Sequence, residues 1–141
     1  MDAAETFFEI ARAIVNAVET VRSNADECRK LSEEVRRVSG VLWELEKKGV
    51  VIENHRNATV RRALGDLKRA LRDARKVVWE CQQQDQNNID LVDRLIALAM
   101  ASQRSNQLRQ ARQNISEKMG FASFAINTHN MGAKPPQQQQ N

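Results

Sequence analysis

The sequence predicts an all-α protein, an antiparallel four-helix bundle with an additional short helix. Three observations carry that expectation. Of 141 residues, 41% are hydrophobic but only 4% aromatic, with no Tyr, two Pro and five Gly; the rest is rich in Ala, Leu, Arg, Glu and Gln, which favour helices. Apolar residues recur at steps of three and four over long stretches. The polar breaks at 22–24, 49–57 and 82–88 are short, so successive helices fold back on one another instead of continuing as one long coiled coil. A chain of this length forms one domain that buries roughly two-thirds of its unfolded surface.

The first helix is expected over 3–22, with Phe7, Ala11, Ile14, Val18 and Val21 on one face. Ser23-Asn24-Ala25-Asp26 supplies cap-type residues for a second helix over 24–48, whose seam is Cys28, Leu31, Val35, Val38, Leu42 and Leu45. Gly49 marks its stop, behind Lys47 and Lys48 at the negative end of the helix dipole. Residues 50–57 read as a loop. The third helix, 58–82, is the most regular: Val60, Leu64, Leu67, Leu71, Ala74, Val78 and Cys81. Asn57 or Thr59 caps it, and Gly65, costing about 1 kcal/mol against Ala, suggests a close helix approach. A short helix over 88–101 follows, with Ile89, Val92, Ile96 and Ala99 inward. The last, 104–127, uses Leu108, Ala111, Ile115, Met119, Ala122 and Ile126. Residues 128–141, with Pro135-Pro136 and four glutamines, read as a disordered tail or a linker to a downstream domain.

Charge is distributed unevenly. Over 24–48 six acids face six bases at helical spacing, Asp26/Glu27 before Arg29/Lys30 and Glu33/Glu34 before Arg36/Arg37, so that face neutralises itself. Over 58–82 seven bases (Arg61, Arg62, Lys68, Arg69, Arg72, Arg75, Lys76) meet three acids, Asp66, Asp73 and Glu80. This surplus of four equals the net charge of the whole chain, +4. The bases recur as pairs seven residues apart, about 10 Å along a helix, beside the apolar seam. Such a stripe suits a row of anions. Acidic phospholipid headgroups are one source, at about 1 kcal/mol per Lys or Arg; nucleic-acid phosphates are another. A third reading needs no partner: the bases solvate the bundle, or pair with Glu5, Glu9 and Glu19 of the first helix. Against nucleic acid stands the lack of stacking platforms, Trp79 being the one aromatic residue near the stripe in sequence.

Other chemistry finds little footing. No stretch reaches the roughly 20 apolar residues of a membrane span, and the acidic start, Met1-Asp2-Ala3-Ala4-Glu5, is unlike a secretory signal, which favours a cytoplasmic protein. Cys28 and Cys81 fall on seams and read as core. His55 and His129 have no nucleophile at a recognisable spacing, and there is no Gly-rich phosphate loop, so neither enzymatic activity nor a metal or cofactor is expected. Asn57-Ala58-Thr59 and Asn114-Ile115-Ser116 match the glycosylation triplet by chance. Phe7-Phe8 and the uncharged run Leu95 to Ala101 are assigned to packing. Phe121 and Phe124 fit either the bundle or a contact with a neighbouring domain.

Two blocks carry a resemblance. Phe8-Glu9-Ile10, Asn24 to Leu31 and Leu42-Trp43-Glu44-Leu45-Glu46-Lys47-Lys48-Gly49, together with Ala63-Leu64-Gly65-Asp66-Leu67-Lys68-Arg69-Ala70-Leu71-Arg72-Asp73-Ala74, resemble the N-terminal bundle of mixed-lineage kinase domain-like proteins. The wider set takes in fungal HeLo cell-death domains, helical domains of plant immune receptors and the N-terminal domain of plant mechanosensitive calcium-channel proteins. The likeness spans about residues 5–127. It implies a bundle with a brace-like helix, held inactive by a downstream domain of the same chain. Once released, such a domain self-associates, is recruited to the plasma membrane, binds acidic phospholipid through basic residues and permeabilises the bilayer in cell-death or immune signalling. The matching bases here are those of the third helix. In plant immune receptors acidic residues of the first helix line a pore, and Glu5 and Glu9, one turn apart, would stand in for them. The charge-balanced second helix departs from a generally basic membrane face. The competing reading is a non-enzymatic oligomerisation or adaptor domain that touches no lipid.

Overall fold

The structure is a computed structural model and describes residues 5–86 and 91–133. Four helices pack together: α1 (Phe7–Val18), α2 (Ala25–Lys47), α3 (Ala58–Gln86) and α4 (Leu91–Ala133). Among the described residues there is no strand. Helix α1 packs on α2 and α3, and α4 packs on α2 and α3. The order around the bundle is therefore α1, α2, α4, α3, and the 48–57 connection crosses it diagonally. Consecutive helices are antiparallel. Phe8 meets Trp43 edge-on at 6.1 Å across α1 and α2. Arg104 reaches Glu80 at 3.1 Å and His129 lies 5.2 Å from His55, one register for α3 and its leading loop against α4. Helices α1 and α3 run parallel, since Glu5 meets Arg75 while Gln82 meets Thr20 and Asp85 meets Arg22.

The ends of the helices follow from local chemistry. Thr6 begins α1 with a reciprocal capping box: its hydroxyl accepts from the Glu9 N–H at 3.1 Å, and Glu9 accepts from the Thr6 N–H at 2.8 Å. The helix stops at Val18, short of the expected 22, and the Asp85 carboxylate accepts the Arg22 and Ser23 N–H groups of the turn that follows. Asn24 precedes α2 in the left-handed region, φ 56°, without a side-chain cap bond. Gly49, φ 94°, closes α2: its N–H bonds Glu46 O and the Val50 N–H bonds Leu45 O, both at 3.0 Å, the paired bonds of a Schellman stop. Asn57 caps α3 by accepting from the Val60 N–H at 3.1 Å.

All seven expected seam residues of α3 are buried, as are Phe7, Ala11, Ile14 and Val21, the α2 seam from Cys28 to Leu42, and Leu108, Ile115, Met119, Ala122 and Ile126 of α4. Phe7 belongs to this core, and Phe8 packs against it. Cys28 and Cys81 are both fully buried free thiols. Its hydrogen bond to Cys81 and then burial push the Cys28 thiol far above the ordinary range, while the same bond lowers Cys81; both lie fully inside the core.

Several expectations are overturned. The short helix over 88–101 and the last helix over 104–127 are one helix, because no Gly or Pro lies between 91 and 119 to interrupt it. Helix α3 runs on to Gln86, through part of the expected 82–88 break. Residues 128–133, expected as tail, continue α4 to Ala133; 134–141 lie outside the described residues. The start of α4 is not core: Leu95, Ile96 and Leu98 are all more than half exposed. Ala99 is exposed too, and the side chains of Ile89 and Val92 lie outside the described set. Gly65 marks no close approach, for a Cβ there would meet nothing within 4 Å.

The two glycines respond oppositely to alanine. Gly65→Ala, in an exposed helical position, raises stability by about 0.5–1 kcal/mol through the helix propensity and the entropy of the unfolded chain. Gly49→Ala lowers it by about 1–2 kcal/mol, because the left-handed stop penalises a Cβ. Urea unfolding of both variants against the parent chain measures this.

Candidate functional site

The bundle sorts the seven bases of α3. Apolar positions 64, 67, 71, 74 and 78 face the core, so the bases fall to either flank of that seam. Lys68, Arg72 and Arg75 turn toward α1 and the 50s loop. The Lys68 ammonium, its side chain only 14% exposed, donates to Glu53 Oε1 at 2.5 Å and to the Glu5 carbonyl at 2.7 Å, and lies 4.9 Å over the Phe7 ring. Arg75 grips the Glu5 carboxylate with two donors, at 2.6 and 3.1 Å, and Arg72 adds a 3.5 Å ion pair. Glu53 completes the clasp by accepting the Phe7 N–H at 2.9 Å, one of the donors that a helix start leaves without an internal partner. The Arg75 hydrogen bond, with its charge and that of Arg72, holds Glu5 below the usual carboxylate range against the effect of burial.

Arg61 turns back on its own loop and donates to the carbonyls of His55 and Arg56 at 2.9 and 3.2 Å. The remaining three bases, Arg62, Arg69 and Lys76, are exposed. Arg69, its side chain 73% exposed, pairs with Asp66 at 3.2 Å; among the described residues Arg62 and Lys76 have no ion-pair partner. These three stand seven residues apart. A straight helix drifts about 20° per heptad, so they share one narrow line about 21 Å long.

The pairing expected as the partner-free reading therefore holds for part of the stripe: Glu5 takes Arg72 and Arg75. Glu9 serves as the capping box of α1 instead of meeting a base. Glu5 and Glu9 are thus both occupied in the folded bundle, Glu5 by Arg72 and Arg75 and Glu9 by the Thr6 cap. Helix α2 neutralises its own face as expected, Arg29 pairing with Asp26 and Glu33, and Arg37 with Glu34.

Sequence order concealed the neighbours that α4 brings. Phe121 and Phe124, 57% and 72% exposed, stand beside Arg62 across a groove between the start of α3 and the end of α4. Lys118 lies on the same rim, its ammonium 5.6 Å from the Phe121 ring centre. Glu53 was likewise hidden, a single acid in a loop with no periodic signal. At one end of the groove His129 meets His55, edge to face. His55 Nδ1 accepts from the Asn57 N–H at 3.0 Å, so its neutral form carries the proton on Nε2. Burial, then His129, then Arg61 hold the His55 pKa below its ordinary 6.5. Among the described residues no group of three or more His, Cys, Asp or Glu is placed to hold a metal, and no helix is long and apolar enough to cross a membrane.

Two consequences are measurable. Glu5→Gln removes the charge that Arg75 and Arg72 hold, and lowers stability by about 1–2 kcal/mol, between the values for exposed and buried pairs. The lowered Glu5 pKa means that its contribution is full above its ordinary 4.5 and fades as pH falls through the folded value; urea unfolding at neutral and acid pH shows a smaller difference between parent and variant in acid. His55 likewise has a depressed folded pKa, so its stabilisation is present above 6.5 and is lost on acidification. His55→Gln flattens the melting temperature between about pH 7 and pH 5, the range over which imidazole titrates. A parent chain with no slope there contradicts the assignment.

No protein-family model, curated protein or solved structure matches this chain, so its site stands on its own residues.

Proposed function

We propose that this chain is a peripheral membrane-binding bundle that docks on acidic phospholipid through the outer line of α3, as a cell-death or immune-signalling domain does in the proteins it resembles. The carrying observation is the division of the stripe. Three bases are consumed in holding α1, a fourth in closing its own loop, and Arg62, Arg69 and Lys76 are left exposed on one line. Three cations near an anionic surface contribute about 3 kcal/mol, on the order of a hundredfold in partitioning. Phe121 and Phe124 beside Arg62 add exposed aromatic area of the kind that enters the headgroup boundary. Phosphate contact without base stacking is the weaker fit, because Trp79, Phe121 and Phe124 do not form a continuous platform along the cations.

Self-association is supported by a separate observation. The first turns of α4 expose Leu95, Ile96 and Leu98, an apolar stretch suited to a second copy or a downstream domain. An adaptor that oligomerises without touching lipid would use that stretch alone.

Vesicle co-sedimentation separates these readings. The parent chain binds phosphatidylserine-containing vesicles, binds pure phosphatidylcholine weakly, and loses affinity as salt is raised. The triple variant Arg62→Glu, Arg69→Glu, Lys76→Glu loses at least about a hundredfold, while unfolding at the same urea midpoint to within surface-substitution effects. Equal binding to neutral vesicles, or an unaffected triple variant, refutes the docking surface. Oligomers detected by sedimentation in the absence of vesicle binding support the adaptor.

A further inference from the structure

The groove between α3 and α4 has the composition of a ligand site. Its cavity is about 450 Å³, within the roughly 300–1,000 Å³ of small-molecule sites. Small residues of both helices, Ala63 of α3 and Ala125 of α4, contribute to its lining. Phe121 and Phe124 form the wall instead of filling the gap, and both remain more than half exposed. Cations stand on the rim. Arg62 has no ion-pair partner among the described residues, and Lys118 has only its exposed chain neighbour Glu117, at 3.8 Å. Asp66, the acid on that rim, is engaged by Arg69 at 3.2 Å. From Lys118 to His129 the groove follows about 16 Å of helix.

We infer that this groove binds one acyl chain of an anionic amphiphile, its phosphate or carboxylate held between Arg62 and Lys118 and its chain lying along Ala63, Phe124 and Ala125 toward Thr128. The site shares Arg62, Phe121 and Phe124 with the proposed membrane surface and otherwise rests on different residues. Two cations, Arg62 and Lys118, line the groove, and Asp66 beside them is paired through Oδ1 with Arg69, so charge favours an anionic headgroup. The uncharged Ala and Phe lining selects the chain, which needs no hydrogen-bond partners.

Calorimetric titration of the full chain with a myristoyl lysophosphatidate, kept below its micelle concentration, tests this. Saturable one-to-one binding is expected, more than about tenfold tighter than for the matching lysophosphatidylcholine or for inorganic phosphate. Arg62→Gln with Lys118→Gln removes that headgroup preference. Thr128→Trp fills the groove from an exposed helical position, and Phe124→Ser strips its wall at another exposed position; each weakens binding more than about tenfold with the helical circular dichroism retained. Equal affinity for both headgroups, equal affinity for phosphate alone, or indifference to both groove variants overturns the inference. Lys76→Gln, outside the groove lining, separates it from the surface reading: vesicle binding falls about fivefold while lysophosphatidate binding is unchanged. Vesicle binding by a parent chain that takes up no lysophosphatidate overturns the groove alone; the converse overturns the surface alone.

Discussion

The attachment of Glu5 and Glu53 to Lys68, Arg72 and Arg75 is the constraint on which the surface of this bundle depends. Helix α3 must bury a seam from Val60 to Cys81 and carry seven bases beside it. Bases on the inner flank cannot reach bulk water freely, and a half-buried cation is tolerated only if an acid and its hydrogen bonds replace the lost hydration. Glu5 and Glu53 do this. In doing so they tie the first residues of α1 and the diagonal 50s loop to the middle of α3, and Glu53 also satisfies the first backbone donor of α1. The parallel placement of α1 beside α3 follows the same line of contacts, continued by Gln82 on Thr20 and Asp85 on the turn before α2.

A consequence is that net charge and available charge differ. The surplus of four on α3 suggests a broad basic face, yet the bases that remain exposed are those whose spacing carries them away from α1. Of these, Arg62 meets α4. Its length brings Lys118, Phe121 and Phe124 alongside Arg62, so a basic line and an aromatic edge become one surface. Neither helix contains that surface alone. The His55–His129 contact joins the loop before α3 to the last turns of α4 at its far end.

Much of the fold was legible residue by residue. The seams of α2 and α3 follow from heptad-like recurrence, because a helix in a bundle must place its apolar stripe inward. Gly49 and Asn57 were readable as punctuation, since a left-handed stop favours glycine and a cap needs a short acceptor side chain. The reading failed on α4, where an apolar run, Leu95 to Leu98, was assigned to the core. Periodicity identifies a face but not whether a partner helix is long enough to cover it; α3 has 29 residues and α4 has 43. It also divided this stretch into helices over 88–101 and 104–127, although no residue between them stops a helix.

By itself, then, the amino-acid sequence determined the all-α class, the inward faces of α2 and α3, and the concentration of positive charge on α3, all of which depend on residues fewer than eight positions apart. Only the tertiary structure decided which of those charges are spent and which are exposed, and that Phe121, Phe124 and Lys118 share a groove with Arg62. The reason is geometric. Glu5 and Arg75 are seventy positions apart, and Arg62 and Phe121 nearly sixty, separations at which no local period carries information and only the packing of four helices brings side chains together.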